Sequence, residues 1–426
     1  MYPDKVMFIS DHGDPLAELG GIQSGGQNVY VRELVRALDF MGIEADVFTH
    51  WSDPGRPQIE PLGRKSRVIR LAAGRKGFCS KHKMFSMLPR FIKELKQFSG
   101  KNLRQYAIIH SNYWLSGCVG LQMQNSLHIP RVHTSHSLGI VRKNALNSGI
   151  SEPLTLRLRV ERELLQRANR VIATTPLEKD VLAGFYSVLP ENVSVVPCGV
   201  NTGFFRPLNS KPGPGQPAAR KKTVLFVGRF EKNKGIEILL KSFAILKDKH
   251  PATALCSRLL IAGGDPLDVS PEALSYEKKK YLEFIRENGI SDLVAFAGPL
   301  KQEVLPAYYS NACVTVIPSH YESFGLVAVE AMACGCPVIA SRTGGLQHNV
   351  LHGKTGLLVS PQNPDELASA INHLLTNERA RKKMSTEAAL HGKQFSWQKI
   401  AFNMVNVYKE VIRWQKAYQP KSQNTC

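Results

Sequence analysis

Apolar positions in the first half of the chain come in short unbroken runs, separated by longer stretches with helical spacing. Residues 6–10 (VMFIS), 45–49 (ADVFT), 107–110 (AIIH) and 171–174 (VIAT) each read as a strand buried on both faces. Between the first two, Val29, Leu34, Leu38 and Met41 recur at intervals that fit one face of a helix. The alternation restarts at residues 223–227 (TVLFV) and continues through 259–262, 294–297, 314–317 and 337–340. Between the halves, residues 209–217 (NSKPGPGQP) hold three prolines and two glycines, which suits neither a helix nor a central strand. Strands alternating with helices predict two Rossmann-like, doubly wound α/β domains over residues 1–207 and 223–395, joined by a linker at 208–222. Such domains place a ligand cleft at the carboxyl ends of their strands. Ser396 can cap a last helix from residue 397 to about 415. Residues 396–426 are therefore expected to carry that helix back onto the first domain and to end in a tail.

A chain of 426 residues has room for two such domains, each with its own core. Charge narrows the choice of partner. Lys and Arg number 55 against 35 Asp and Glu, a net charge of +20. Thirteen of those basic residues fall between Arg64 and Arg104, where Glu94 is the only acid. An anionic partner is implied: nucleic acid, a membrane surface or a small anion. No aromatic RNA-binding strand or Cys/His finger accompanies the basic run, so nucleic acid is not expected. The apolar run at 6–9 is too short for a signal peptide core, and no run is long enough to span a bilayer. Eight cysteines are scattered, and the one close pair, Cys334 and Cys336, has neither a redox nor a zinc spacing. Reduced thiols in a cytoplasmic protein are the plain expectation.

The chemistry-bearing residues cluster where predicted strands end. Residues 318–337 (PSHYESFGLVAVEAMACGCP) follow the strand at 314–317. Gly325 opens a predicted helix over 326–333, and the amides at its start favour phosphate or polarised hydroxyls. Glu322 lies before the helix and Glu330 inside it, so the two acids can reach different parts of one extended ligand. Carboxylates accept hydrogen bonds from the vicinal hydroxyls of sugar and ribose rings. Taken alone, Glu330 reads more readily as a helix-face acid and Glu322 as a solvated loop acid; the full motif reverses that reading. After the strand at 223–227, Arg229 and Lys234 straddle a turn, and two cations so placed can neutralise a diphosphate leaving group. None of the twelve aspartates forms an Asp-x-Asp pair of the kind that holds a divalent metal, so fixed cations are the natural substitute. The glycine-rich loop with Gly20, Gly21, Gly25 and Gly26 matches neither a dinucleotide fingerprint nor a phosphate-binding loop. His136, at the end of a strand that starts near Ile129, can hydrogen-bond a sugar hydroxyl or be a satisfied structural imidazole.

An acid, then Phe-Gly, then a second acid with seven residues intervening resembles the donor-binding signature of the retaining GT-B glycosyltransferases. That resemblance implies two facing domains around a central cleft, with a nucleotide sugar held by the second and an acceptor by the first. It assigns the donor sugar to Glu322, the ribose to Glu330, and the diphosphate to Arg229 and Lys234. Gly26, Leu300, Phe324, Gly325 and Leu326 complete the donor set, and His136 is matched to the active-site histidine; His133 has no such match. The sequence is also similar, along most of its length, to the subgroup of inositol-phosphate glycosyltransferases and sucrose-phosphate synthases. Lys81, Tyr113, Ser137 and Arg157 match the residues of that subgroup that clamp an acceptor phosphate, with Lys83 the alternative register, and Asn28 lies near the acceptor. Residues 110–117 (HSNYWLSG) depart from the subgroup's His-Ser-His-Tyr-Trp-Leu-Ser-Gly, with Asn112 in place of the second histidine.

The expected activity is transfer of a glucose- or N-acetylglucosamine-type hexosyl group, with retention, from a nucleoside-diphosphate sugar, UDP on family grounds, to a small polar acceptor, phosphorylated if the clamp is real. No cofactor is required on this reading. A GT-B sugar-nucleotide epimerase and a membrane-surface transferase with a lipid-linked acceptor are the alternatives. A membrane surface and a second copy of the chain are the further partners considered.

Overall fold

The computed structural model describes residues 3–17, 25–100, 105–146, 152–208, 221–264 and 276–418. Gly20, Gly21 and the proline-rich run at 209–217 lie outside the described residues. The described residues gather into two compact units: one takes the chain up to Pro197 and again from Trp397, the other takes Cys198–Ser396.

The first unit runs β1 (Lys5–Ile9), α1 (Gly26–Phe40), β2 (Glu44–His50), β3 (Ile59–Pro61), β4 (Arg67–Leu71), α2 (Lys81–Ser99), β5 (Ile108–Asn112), α3 (Tyr113–Leu127), β6 (Arg131–Thr134), α4 (Gly139–Leu146), α5 (Glu152–Gln166), β7 (Arg170–Ala173), α6 (Pro176–Gly184) and β8 (Val193–Val195). Its sheet has the order β3-β4-β2-β1-β5-β6-β7-β8, parallel except for β3 at the edge. All five residues of β1 are buried, which is why it reads as an unbroken apolar run. The lysine that opens it, Lys5, is satisfied by Glu44 at 2.5 Å and Asp46 at 3.0 Å.

The second unit runs β9 (Lys222–Val227), α7 (Ile236–Lys249), α8 (Pro251–Leu255), β10 (Ser257–Ala262), α9 (Tyr276–Glu287), β11 (Val294–Gly298), α10 (Leu305–Asn311), β12 (Val314–Ile317), α11 (Leu326–Ala333), β13 (Val338–Ser341), α12 (Leu346–Asn349), β14 (Gly356–Val359), α13 (Pro364–Thr376) and α14 (Glu378–Gly392). Its parallel sheet has the order β11-β10-β9-β12-β13-β14. Phe226, Leu239, Phe243, Leu259, Ile261 and Val316 are the centre of its core. Asn363 caps α13 by accepting from the Glu366 amide at 3.0 Å, with Pro364 at the first helical position.

The last helix, α15 (Trp397–Tyr418), belongs to the first unit and packs on α1. The Trp397 ring meets Tyr30 edge-on at 5.6 Å, and the Tyr408 hydroxyl is 2.6 Å from Nδ1 of His110 on β5.

In each sheet the strand order reverses beside the first strand, so β1 lies between β2 and β5 and β9 between β10 and β12. Loops at the carboxyl ends of such paired strands are where open α/β sheets bind ligands. Among the described residues, no helix is long and apolar enough to cross a membrane.

Candidate active site

In the second unit the loops after β9 and β12 lock together through backbone. Gly235 closes the first loop at φ +67°, and a β-carbon there would lie 2.1 Å from the carbonyl oxygen of Pro318. Only glycine allows that approach. The His320 amide donates to the Asn233 carbonyl at 2.8 Å, joining the same two loops. Lys234 Nζ is thereby brought 2.7 Å from Oε2 of Glu322, both side chains being partly exposed. A third loop supports the acid from behind. The Gly345 amide donates to the Glu322 carbonyl at 2.8 Å, and a β-carbon on Gly344 would meet that oxygen at 2.0 Å.

Phe324 is buried against Phe395, with ring centroids 6.0 Å apart, and its carbonyl accepts from Asn349 Nδ2 at 2.6 Å. Gly325, at φ +90°, turns the chain into α11, so Leu326 is its first residue and Glu330 lies one turn in. Glu330 accepts from the Tyr309 hydroxyl at 3.1 Å. Burial raises its pKa to about 7, the Tyr309 hydrogen bond pulling the other way. Arg229 is half-exposed and pairs at 2.8 Å with Glu231. Leu300 follows β11 by two residues and is half-buried. The structure therefore gathers Lys234, Glu322 and the start of α11 at the β9–β12 switch point. It gives Arg229 a carboxylate partner of its own.

In the first unit Tyr113, at φ +77° just past β5, and His136, at φ +57° just past β6, are among five described residues with side chains that hold left-handed backbone. Such strain persists where surrounding structure imposes it, and it gathers at functional sites. His136 Nε2 is 2.9 Å from Asn112 Oδ1, and its ring meets Tyr30 edge-on at 4.8 Å. Burial, with His110 and His12 nearby, lowers its pKa to about 3. His133 is a core histidine whose Nδ1 is 2.9 Å from the Ser111 hydroxyl.

Two cations face one aromatic ring: Lys81 Nζ is 5.2 Å and the Arg157 guanidinium 5.1 Å from the centre of Tyr113. Lys81, the first residue of α2, is thus the lysine of this cluster. Arg157 is held by Glu161 at 2.7 Å and by the Ser137 carbonyl at 2.5 Å, so Ser137 contributes through backbone here. The ion pair is intrahelical, and it also aims the arginine. His12 also meets this tyrosine, its ring 4.4 Å from Tyr113 and its Nδ1 3.3 Å from Asp11. Burial lowers the His12 pKa; Asp11 opposes that shift, while Lys81 and Arg157 add to it. Positive charge gathered on a buried tyrosine in this way suits a phosphate.

Gly26 is the first residue of α1, and Asn28 is buried with both ends of its amide on backbone, donating to Asp14 at 2.8 Å and accepting from Gly25 at 3.0 Å. Its side chain shapes the loop that precedes the helix.

The second unit matches the family model of glycosyl transferases group 1 over residues 211–391, and the first matches that of glycosyltransferase family 4 over residues 24–204. The chain is 33% identical to a D-inositol 3-phosphate glycosyltransferase of Corynebacterium diphtheriae, covering 95% of this chain and 94% of the relative. The chain belongs to the group 1 glycosyltransferases. Among solved structures, the sucrose-phosphate synthase of Thermosynechococcus elongatus is similar at 36% identity and a TM-score of 0.84, covering 96% of this chain and 100% of that one. Anabaena HepE in complex with UDP-glucose, at 19% identity and a TM-score of 0.71, shares the fold over 95% of this chain and 99% of its own. The two α/β units are those of a GT-B glycosyltransferase.

In this glycosyltransferase the sequence motifs did not point to His12, Asp11 or Tyr309. Tyr309 precedes Glu330 by 21 residues, with no pattern linking them. His12 had a signal that passed unread, an imidazole just past the first buried strand.

Proposed function

We propose that this glycosyltransferase moves a hexosyl group, of glucose or N-acetylglucosamine type, from a UDP sugar to a small phosphorylated polar acceptor, with retention at the anomeric carbon. The observation that carries the acceptor half is the pair of cations on Tyr113. Two like charges beside one ring repel, and a phosphate between them offsets that repulsion. The names of the relatives, inositol 3-phosphate glycosyltransferase and sucrose-phosphate synthase, support the same class of acceptor.

On the donor side Glu322 accepts from sugar hydroxyls while Lys234, tied to it, faces the diphosphate. Glu330 accepts from the ribose. Arg229 exchanges Glu231 for a phosphate oxygen. The acceptor hydroxyl attacks C1 on the face the diphosphate leaves. The C1–O bond to phosphate breaks as the new C1–O bond forms, and the departing phosphate oxygen takes the acceptor's proton. Fixed positive charge and positioning supply the catalysis, with no cofactor and no covalent nucleophile. UDP-glucose, the ligand of HepE, is the first donor to try.

The test is UDP release from UDP-glucose and UDP-N-acetylglucosamine with inositol phosphates and hexose phosphates, beside the same acceptors without phosphate. Turnover confined to phosphorylated acceptors, with a product whose anomeric proton keeps the donor's coupling, supports the reading. Epimerised donor without an acceptor, or equal turnover of dephosphorylated acceptors, overturns it.

One observation favours a membrane-surface reading as a second possibility for the acceptor side. A cavity of about 770 Å³ on the first unit is lined by Phe85, Pro89, Ile92, Cys118, Leu121 and Leu164 among others. Beside it, exposed Lys83, Arg90, Lys93 and Lys96 lie along α2. An apolar groove bordered by cations suits an anionic lipid surface. Flotation with anionic vesicles at low and high salt decides it, since electrostatic attachment weakens with salt.

A further inference from the structure

Asn112 ends β5, and His136 lies two residues past β6, the strand paired with it. The Asn112 side chain is fully buried. Its Nδ2 faces two carbonyl oxygens, those of Ile9 at 3.4 Å and His110 at 3.3 Å. Carbonyls only accept, so the NH₂ end of the amide has to face them. The reverse orientation would set three oxygens against one another out of reach of water. The atom left toward His136 is therefore Oδ1, 2.9 Å from Nε2. An amide oxygen also only accepts, so Nε2 of His136 carries a proton. In a neutral ring with Nε2–H the lone pair is on Nδ1.

We propose that Asn112 is a positioning residue that fixes His136 as the Nε2–H tautomer, so that the ring offers its substrate one acceptor, Nδ1, and the group it meets on the donor sugar must be a hydroxyl. A carboxylate in that place would set lone pair against lone pair. The related motif carries histidine where this chain has Asn112. An imidazole at position 112 can donate or accept, and so leaves its neighbour's tautomer open. An amide tied by its NH₂ to two carbonyls cannot. The backbone of His136 at φ +57° and the edge of Tyr30 at 4.8 Å hold the ring in that orientation.

That His136 touches the donor sugar rests on the proposed function; the tautomer does not. The first measurement needs no substrate: nitrogen chemical shifts of His136 in protein labelled at the imidazole nitrogens. The expected pattern is a protonated Nε2 and a bare Nδ1, unchanged between pH 5 and 8. Asn112→Leu is expected to let the Nδ1–H form appear. Asn112→Asp, nearly isosteric, turns its second oxygen toward the Ile9 and His110 carbonyls and is expected to be held protonated there, its O–H replacing the NH₂ and its C=O keeping the Nε2–H pattern. A protonated Nδ1 in the unaltered protein, or an unchanged tautomer in Asn112→Leu, overturns the assignment whatever the enzyme's substrates are.

The second measurement is steady-state kinetics. Asn112→Leu should lower kcat/KM for the donor by about tenfold or more, with the acceptor KM unchanged, and Asn112→Asp should recover most of that. A changed tautomer with unchanged donor kinetics removes His136 from the donor contact and leaves the tautomer standing.

Discussion

Lys234 Nζ and Glu322 Oε2 stand 2.7 Å apart although 88 residues separate them in sequence. Nothing local brings them together. The pairing of β9 with β12 does so, together with the close approach of Gly235 to Pro318. The pair sits where the strand order of the second sheet reverses. It sets a point positive charge beside a hydrogen-bond acceptor, which is what a sugar diphosphate requires at its scissile end.

Replacing Lys234 with Ala should lower kcat by about a hundredfold or more, since it removes charge that stabilises the leaving group. Stability should change by about 1 kcal/mol or less, because a partly exposed ion pair contributes little. Denaturant melts beside initial rates check both. A large loss of stability with activity retained would make the pair structural.

If Glu330 holds the ribose as proposed, donor binding is tied to pH. Its carboxylate must be ionised to accept from both ribose hydroxyls, and burial puts its pKa at about 7. UDP affinity should therefore rise as pH goes from 6 to 8, and Glu330→Gln should flatten that part of the profile. The contribution to stability runs the other way. A raised carboxylate pKa stabilises the fold below the usual 4.5, and that stabilisation is lost as pH rises through about 7. Calorimetric titration of UDP across that range checks the binding; melts without ligand check the stability.

The first unit should be acid-labile. His12, His110, His133 and His136 all have lowered pKa values, chiefly through burial, with His110 and His136 brought to about 3. A histidine so depressed contributes stability that is present above its usual 6.5 and is lost as pH falls toward the folded value. Urea midpoints at pH 7.5, 6 and 5 should fall steadily. A flat profile would mean that these rings are solvated.

Arg157→Ala should raise KM for a phosphorylated acceptor by about tenfold or more while leaving UDP affinity within about twofold. Glu161 then loses its arginine but keeps the Gly139 amide, at 3.0 and 3.2 Å, and the Tyr186 hydroxyl. Because that change can loosen α5, Lys81→Ala, on an exposed residue, is the companion variant. An acceptor KM in both variants equal to that of the unaltered enzyme would move the phosphate elsewhere.

Most of the sheet was legible because parallel strands covered on both faces are continuous apolar runs, and β12 falls at its expected limits. Strand β4 was hidden by Arg67 and Arg70. The second is fully buried, between Asp14 at 2.6 Å and Glu60 at 2.8 Å, so part of the basic run is internal structure and not a docking surface. At the candidate site, spacing within one motif pointed to Glu322, Gly325 and Glu330, which the structure sets on one loop and the helix it opens. Partners supplied by another element, such as Tyr309 for Glu330 and Tyr113 for His12, depend on which helix lies beside which strand. Sequence spacing carries no trace of that. Asn28 shows the converse limit: its residue type suits an acceptor hydroxyl, but both ends of its amide are used on neighbouring backbone.

The most direct measurement is calorimetric titration of UDP into the unaltered enzyme and into Glu330→Ala at pH 8, with circular dichroism to establish that both are folded. The expected result is one site in the former and affinity at least about tenfold weaker in the latter. Equal affinity in the two proteins would contradict a nucleotide site at the β9–β12 switch point.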